Sequence, residues 1–140
     1  MVIDTSALLA ILLEEPDGDA LLQAIIDDPV RLISAGTLLE AGIVADNNPN
    51  RRKGPALDAL LSATGVRVEP VTEGQARLAR EAYRRFGKGN HRAALNFGDC
   101  FAYALSKLSG EPLLFKGADF PATDVVPCRL PSSGSPPQQS

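Results

Sequence analysis

The sequence contains one histidine, His91, and two cysteines, Cys100 and Cys128, among 140 residues. A nuclease mechanism that needs two histidines is therefore excluded within one chain. The cysteines lack a metal-ligand spacing such as C-x-x-C, so we interpret them as small buried residues in a reducing compartment. No apolar run approaches the length of a bilayer-spanning helix, and no basic leader precedes the first apolar residues. We expect a cytoplasmic protein that does not enter a membrane.

Motifs of several enzyme classes are also missing. The nucleophile elbow G-x-S-x-G does not occur, and there is no glycine-rich phosphate-binding loop. A phosphatase with an aspartyl nucleophile would usually carry a second aspartate two residues after Asp4, where this chain has Ser6. A receiver domain would carry its phosphorylated aspartate at the end of the third strand, and the segment VRVEPV ends without one. These classes fit the chain poorly.

Short apolar segments alternate with amphipathic ones along the chain, and 44% of the residues are hydrophobic, as is ordinary for a globular domain. The pattern predicts strands at residues 1–3, 31–34, 66–71 and 112–115, with a weak one near 125–126. It predicts helices at residues 7–13, 17–28, 36–47, 55–64, 72–86 and 96–109. Strands separated by helices indicate an α/β fold with a mostly parallel sheet. We expect one domain over residues 1–130 and a disordered, proline-rich polar tail over residues 131–140.

Asp4 is an acidic residue between two apolar segments, directly after the first predicted strand. A buried charge is costly unless it is paired or binds a metal, and sites of open parallel sheets form at the carboxyl ends of strands. The alternative is that Asp4 only caps the following helix, a role that we assign to Ser6. The position of Asp4 therefore favours a functional role.

Two further acids lie on predicted helices, and each has a structural alternative. Glu40 lies on the helix after the second strand, where Thr37 and Glu40 form a capping-box pattern. Asp99 lies in the first turn of the last long helix, which Asn96 could cap, and the helix dipole favours a carboxylate there. Neither acid is decisive alone.

Asp119 and Asp124 follow the strand at 112–115, and either could be a turn former. One of them could converge with Asp4, Glu40 and Asp99 on one cleft. Clustered carboxylates raise each other's pKa unless a cation neutralises them, and their hard oxygens suit Mg²⁺ or Mn²⁺. Such an ensemble provides what metal-dependent phosphodiester hydrolysis needs.

The basic residues are unevenly distributed, although the net charge is −3. Half of the 14 lysines and arginines lie in two short segments, which contain Arg51, Arg52 and Lys53, and Arg84, Arg85, Lys88 and Arg92. These segments are either solvated surface or a local phosphate-binding surface. His91 lies between Lys88 and Arg92 and could contact RNA or cap its own backbone. We interpret Lys116 as a solvated strand end and Tyr103 as a core residue.

Three stretches resemble the PIN-domain ribonucleases, and in particular the VapC toxins of bacterial toxin–antitoxin pairs. They are MVIDTSAL, GKGNHRAALNFGDCFAYALSK and PLLFKGADFPATDV, and the resemblance runs from Met1 to about Leu130. The resemblance implies a three-layer α/β/α sandwich, a homodimer, endonucleolytic cleavage of structured RNA such as tRNA or rRNA, and inhibition by a VapB-type antitoxin.

The resemblance also implies roles for individual residues. Asp4 and Asp99 become the principal ligands of Mg²⁺, with Mn²⁺ as a substitute, and Glu40 becomes the third acid. Asp119 is the favoured fourth acid, with Asp124 as the alternative. The hydroxyls of Thr5 and Ser6 would orient Asp4 or a metal-bound water.

Two other functions remain open at this point. The chain could be a PIN-like RNA-binding module that has lost catalysis, although every acid position is filled. It could also be a metal-dependent nuclease that acts on DNA.

Overall fold

The computed structural model describes residues 1–131, so most of the predicted tail, from residue 132 onward, lies outside the described residues. The limits of the domain therefore stay a prediction. The strands are β1 (Val2–Ile3), β2 (Leu32–Ser34), β3 (Arg67–Glu69) and β4 (Leu113–Leu114). The helices are α1 (Thr5–Leu12), α2 (Gly18–Asp27), α3 (Ala35–Asp46), α4 (Lys53–Thr64), α5 (Glu73–Phe86) and α6 (Phe97–Ser109), followed by a short 3-10 helix (Phe120–Ala122). Among the helices of residues 1–131, none has both the length and the apolar composition that crossing a membrane requires.

The four strands form one parallel sheet in the order β3-β2-β1-β4. This confirms the predicted α/β class and parallel sheet. The chain moves from β1 to one side of the sheet and later returns to the other side, so β1 and β4 flank a topological switch point. In open parallel sheets, ligands bind in the crevice that forms beyond the carboxyl ends of strands at such a point. Asp4 lies directly after β1 at this crevice.

Helices cover both faces of the sheet, because successive strand residues point to opposite sides. Ile3, Ile33 and Leu114 belong to one buried cluster, which contains residues of α1, α2, α3 and α4. Their neighbours Val2, Leu32 and Leu113 belong to a second cluster, which contains residues of α5 and α6. The predicted three-layer α/β/α arrangement follows from this alternation.

Two local predictions were wrong, and one structural alternative for Glu40 is excluded. Asp4, and not Ser6, caps α1, because the Asp4 carboxylate accepts the Ser6 N–H. Ser34 caps α3, so Thr37 and Glu40 do not form a capping box at its start. The weak strand near residues 125–126 is only an isolated bridge between Leu113 and the residue after that segment, Pro127.

Apolar residues of three helices remain exposed on one side of the molecule. The helical spacing of α5 predicts burial of Ala76 and Ala79, yet Ala76 is exposed and both residues line an open groove beside α6. Phe97 of α6 is 77% exposed. A second groove runs between α3 and α6. We call this surface the apolar face, and it comprises the exposed side chains of Leu39, Ile43, Val44, Tyr83 and Phe97.

Candidate active site

Asp4 is anchored by its neighbours and buried. Its N–H donates to the carbonyl of Leu114 (N···O 3.0 Å), and its Oδ2 accepts the Ser6 N–H (3.0 Å) and the Ser6 hydroxyl (2.6 Å). Asp4 is 2% exposed, and its Oδ1 accepts no hydrogen bond within the described residues. Burial raises the pKa of Asp4 to about 6; the hydrogen bonds from Ser6 oppose this rise, and the charge of Glu40 adds to it. A buried carboxylate with one unpartnered oxygen is suited to bind a cation.

Glu40 reaches from α3 to the first turns of α1 and α6. Its Oε1 accepts the hydroxyl of Thr5 (2.6 Å). Gly98 lies against the same carboxylate, since a Cβ on Gly98 would be 2.7 Å from Oε1 and closer still to Oε2. Of the two hydroxyls that we expected near Asp4, that of Ser6 contacts it, whereas that of Thr5 binds Glu40.

Asp99 is buried in the first turn of α6 and completes a capping box there. Asn96 Oδ1 accepts the Asp99 N–H (2.9 Å), and Asp99 Oδ2 accepts the Asn96 N–H (3.0 Å). Burial raises the pKa of Asp99 to about 7; the Asn96 N–H opposes this rise, and the charges of Asp4, Asp119 and Glu40 add to it. The cap and the acid cluster thus use the same side chain, so the structural and functional interpretations of Asp99 do not compete.

Asp119 and Asp124 have different surroundings. Asp119 is exposed before the 3-10 helix, and its charge acts on Asp99. Asp124 accepts the hydroxyl of Tyr103 (2.6 Å) and pairs with Lys107 (3.1 Å). Burial raises the pKa of Asp124, but these two hydrogen bonds outweigh it and lower the pKa overall. Asp119 acts electrostatically on one of the other acids, Asp99, whereas Asp124 connects the loop to α6.

The acids do not form a complete metal-coordination site made of protein ligands alone. Within residues 1–131, no group of three or more His, Cys, Asp or Glu side chains is placed to hold a metal ion as it stands. The charge of Asp4 nevertheless acts on Asp99, and one oxygen of each is used to cap a helix. Mg²⁺ is usually bound through one or two carboxylates and several waters. The donor set fits an ion with two protein ligands.

The loop between α5 and α6 contains exposed basic residues. Lys88 and Arg92 are exposed and form no ion pair in the part of the chain that the structure describes. His91 is half-buried, and its Nδ1 accepts the Ala93 N–H (3.0 Å) while its ring packs edge-on against Phe86, with centroids 5.2 Å apart. His91 therefore shapes this loop, which leads directly to the capping box of Asp99.

The two arginines at the end of α5 have acidic partners. Arg84 pairs with Glu81 (3.3 Å), and Arg85 approaches Asp124 (3.8 Å). The Arg85 guanidinium also lies over the Phe86 ring, 4.7 Å from its centroid. Both arginines are exposed, so these contacts leave them accessible to a ligand while offsetting part of their charge.

Lys116 connects the loop after β4 to the acid cluster through its backbone. Its N–H donates to the Ser6 hydroxyl oxygen (3.0 Å), and that hydroxyl donates to Asp4. Its ammonium pairs with Glu15 and with Asp17 (3.1 Å), so Lys116 is not simply a solvated strand end. These contacts fix the loop that carries Asp119 relative to Asp4.

Sequence reasoning missed Lys116 and Gly98. The contacts of Lys116 span 110 residues to Ser6 and leave no local signal. Gly98 did leave one, because a glycine inside a helix costs about 1 kcal/mol relative to alanine and so calls for a packing reason.

Comparisons with known proteins point to one family. A family model described as the PIN domain matches residues 1–126. A ribonuclease VapC of Mycolicibacterium smegmatis is 54% identical over 126 residues, which are 90% of this chain and 98% of that protein. Ribonuclease VapC30 of Mycobacterium tuberculosis is 48% identical over 131 residues, which are 94% of this chain and 100% of that protein.

Solved structures show the same fold. The crystal structure of Mycobacterium tuberculosis VapC20, described as a sarcin-ricin loop cleaving toxin, aligns with a TM-score of 0.75 at 22% identity and covers 93% of this chain and 98% of that one. A chain of a toxin–antitoxin complex from Klebsiella pneumoniae aligns with a TM-score of 0.61 at 18% identity, over 83% of this chain and 85% of that one.

The chain belongs to the PIN-domain family, within the VapC ribonucleases, the toxins of toxin–antitoxin systems. The resemblance seen in its three sequence stretches is confirmed. Its function is that of an endoribonuclease toxin, and the chain is a nuclease and not only a binding module.

Proposed function

We propose that this chain cleaves structured RNA, such as tRNA or rRNA, in a reaction that depends on Mg²⁺, with Asp4 and Asp99 as the metal ligands. The observation that carries the proposal is the pairing of two buried carboxylates whose pKa values are both raised, while Asp4 Oδ1 has no partner within the described residues. A cation would relieve both the repulsion and the cost of burial. Mn²⁺ should substitute, because it takes the same oxygen ligands.

The bound ion would polarise the phosphodiester and lower the pKa of the attacking water. The chain's own residues keep the acids in place for this role. Ser6 holds Asp4 through Oδ2, Thr5 holds Glu40 through Oε1, and Asn96 holds Asp99 through Oδ2. Each hydrogen bond occupies one oxygen and leaves the other for the cluster, so the acids are oriented before substrate arrives.

Glu40 and Asp119 complete the proposed catalytic group. The charge of Glu40 acts on both Asp4 and Asp99, which supports a position beside the ion, directly or through water. Asp119 is more exposed and acts on Asp99, which supports a place at the open side of the cleft.

The exposed basic residues supply a surface for the RNA backbone. We assign Lys88 and Arg92 the main phosphate contacts, because neither forms an ion pair within residues 1–131, and Arg84 and Arg85 weaker ones. His91 contributes through the shape of its loop and could add a contact. Such residues position RNA without reading its sequence.

We also propose a homodimer that buries the apolar face. Leu39, Ile43 and Phe97 are each at least half exposed and lie on adjacent helices beside the cleft. Contiguous exposed apolar side chains are typical of interfaces, which supports this proposal, and a symmetric dimer would cover them on both copies. Phe97→Glu should yield monomers in analytical ultracentrifugation, whereas Val126→Glu, at an exposed residue outside this face, should not. A dimer that survives Phe97→Glu would contradict this arrangement.

Membership among the VapC ribonucleases supports a VapB-type antitoxin as the inhibitor. The inhibitor would have to neutralise the acid cluster, and arginine suits this task because its planar fork pairs with carboxylates and stays protonated. We propose that an arginine of the antitoxin contacts Asp4, Glu40 and Asp99.

The activity is tested by incubating the purified chain with folded RNA and with single-stranded DNA, each with Mg²⁺ or with EDTA. The expected result is cleavage of RNA that needs the metal. Cleavage of DNA at a comparable rate would favour a DNA nuclease, and RNA cleavage that persists in EDTA would overturn the role of the ion.

A further inference from the structure

Gly98 is the second residue of α6, directly before Asp99, and Gly36, Gly54 and Gly74 hold the same position in α3, α4 and α5. Apart from proline, glycine is the least favourable residue in a helix. Within residues 1–131, the glycines with positive φ are Gly65, Gly89, Gly110 and Gly117, so Gly98 is not required by its backbone conformation. Space is the remaining physical reason for a glycine here.

The carboxylate of Glu40 fills that space. A Cβ on Gly98 would lie within 2.7 Å of Glu40 Oε1 and closer still to Oε2, a separation that real Cβ atoms do not show. The same Oε1 accepts the Thr5 hydroxyl (2.6 Å). Glu40 is therefore confined between the first turn of α1 and the backbone of α6.

A second glycine at the same pair of helices makes a different contact. A Cβ on Gly36 of α3 would lie 2.5 Å from the ring of Phe101 on α6. The two glycines thus allow α3 and α6 to approach closely at neighbouring points, but only Gly98 borders an acidic side chain. Gly54 of α4 also borders an acid, Asp46, so Gly98 differs because the charge of its neighbour Glu40 acts on Asp4 and Asp99.

We propose that Gly98 is a positioning residue of the active site: its lack of a side chain provides the space in which the Glu40 carboxylate faces Asp4 and Asp99. The proposal rests on the proposed function, in which Glu40 takes part in the reaction. Any side chain at position 98 displaces this carboxylate away from α6 and breaks its hydrogen bond to Thr5. The influence of the Glu40 charge on both aspartates is consistent with this placement.

The first experiment compares Gly98→Ala with Gly36→Ala. Both add a methyl group between α3 and α6, but Gly36→Ala pushes on the Phe101 ring and not on Glu40. Gly98→Ala should lower kcat about 100-fold with KM for RNA nearly unchanged, as expected for a misplaced catalytic group. Gly36→Ala should retain a kcat much nearer to that of the parent. Equal losses of kcat in the two variants would overturn the proposal.

The second experiment does not depend on activity and repeats the substitution in a Glu40→Ala background. Glu40→Ala removes the three atoms nearest to the added methyl group, and alanine is the better helix residue. Gly98→Ala should therefore lower Tm in the parent chain and raise it in the Glu40→Ala chain. A decrease in both backgrounds would overturn the proposal.

The two experiments distinguish a failure of the Gly98 proposal from a failure of the proposed function. If Gly98→Ala does not fold, a folded Gly98→Ala/Glu40→Ala chain supports the proposed contact, and a double variant that also fails to fold overturns it. A parent chain without ribonuclease activity would refute the proposed function. The sign of the Tm shifts would still decide whether Gly98 makes room for Glu40.

Discussion

The hydroxyl of Ser6 lies 2.6 Å from Asp4 Oδ2 and donates a hydrogen bond to it. The same Asp4 oxygen accepts the Ser6 N–H and thereby caps the N-terminus of α1. The other oxygen, Oδ1, accepts no hydrogen bond within residues 1–131. Because the two oxygens of this side chain have different surroundings, its structural and chemical roles can be tested separately.

Asp4→Asn and Asp99→Asn should abolish cleavage without unfolding the protein. Asparagine caps helices as well as aspartate does, so α1 keeps its cap, while the negative charge that we propose binds the metal is lost. The measurement is RNA cleavage at saturating Mg²⁺, with circular dichroism to verify the fold. Asp58→Asn, at an exposed position of α4, is the matched control and should be fully active. Activity of either cluster variant within about tenfold of the parent would contradict the proposed ligand roles.

The metal-free protein should lose stability as the pH rises from about 5 to about 8. The pKa values of Asp4 and Asp99 are raised to about 6 and about 7, so the folded state binds more protons than the unfolded state in this window. Because each unit of pKa shift corresponds to ~1.4 kcal/mol, the free energy of unfolding should fall by several kcal/mol. Urea denaturation in EDTA measures it.

The Asp99→Asn variant serves as the control for this pH series of urea denaturations. Asp99→Asn should flatten the decline, because asparagine does not titrate, and should make the metal-free protein more stable at pH 8. Mg²⁺ at pH 8 should raise the stability of the parent and not that of this variant. A free energy of unfolding that is constant or rises between pH 5 and 8 would refute the electrostatic account of the cluster.

Replacing Arg84, Arg85, Lys88 and Arg92 together with alanine should weaken RNA binding and reduce its salt dependence. With each phosphate contact that is lost, RNA binding releases fewer counterions. The magnitude of the slope of log K against log salt should therefore fall by about 0.7–0.9 per contact. Fluorescence anisotropy with labelled RNA at several salt concentrations measures both quantities.

The ion pairs of Arg84 and Arg85 allow a sharper comparison. Lys88→Ala/Arg92→Ala should account for most of the loss, and Arg84→Ala/Arg85→Ala for less, because the two arginines have acidic partners. An unchanged slope in the fourfold variant would mean that this segment is only solvated surface.

The antitoxin should compete with Mg²⁺. If its arginine occupies the acid cluster, its affinity must fall as Mg²⁺ rises, and by more than an equal ionic strength of NaCl produces. Isothermal titration calorimetry of the chain with its antitoxin, repeated at several Mg²⁺ concentrations and at matched NaCl concentrations, measures this affinity. An affinity that follows ionic strength alone would place the inhibitory contact away from Asp4, Glu40 and Asp99.

Most of the fold could be predicted from the sequence, because its signals are local. Apolar residues mark β1, β2 and β4, and Gly65 and Gly110 end α4 and α6 in the left-handed conformation that glycine favours. Thr72 and Asn96 cap their helices as their positions suggest. Boundaries shifted where two residues competed for one role, as Asp4 and Ser6 did.

The site was less accessible to sequence reasoning. The types of acids and their positions after strands could be read directly, but the hydroxyl that holds Glu40 comes from Thr5, 35 residues away. The apolar face was also missed, because the spacing of Ala76 and Ala79 looks the same whether a helix packs on its own core or on another molecule. Periodicity reports which face of a helix is apolar and not what covers it.

Because Asp4 both caps α1 and carries a charge of the acid cluster, few substitutions at this position remove one role and keep the other. An alanine at this position removes the negative charge and the helix cap together, whereas an asparagine removes only the charge. Lineages that silence the enzyme but keep the protein, for example as a repressor or a decoy, should therefore reach asparagine or serine at this position more often than alanine. The residue found there in an inactive descendant would then record whether its fold remained under selection.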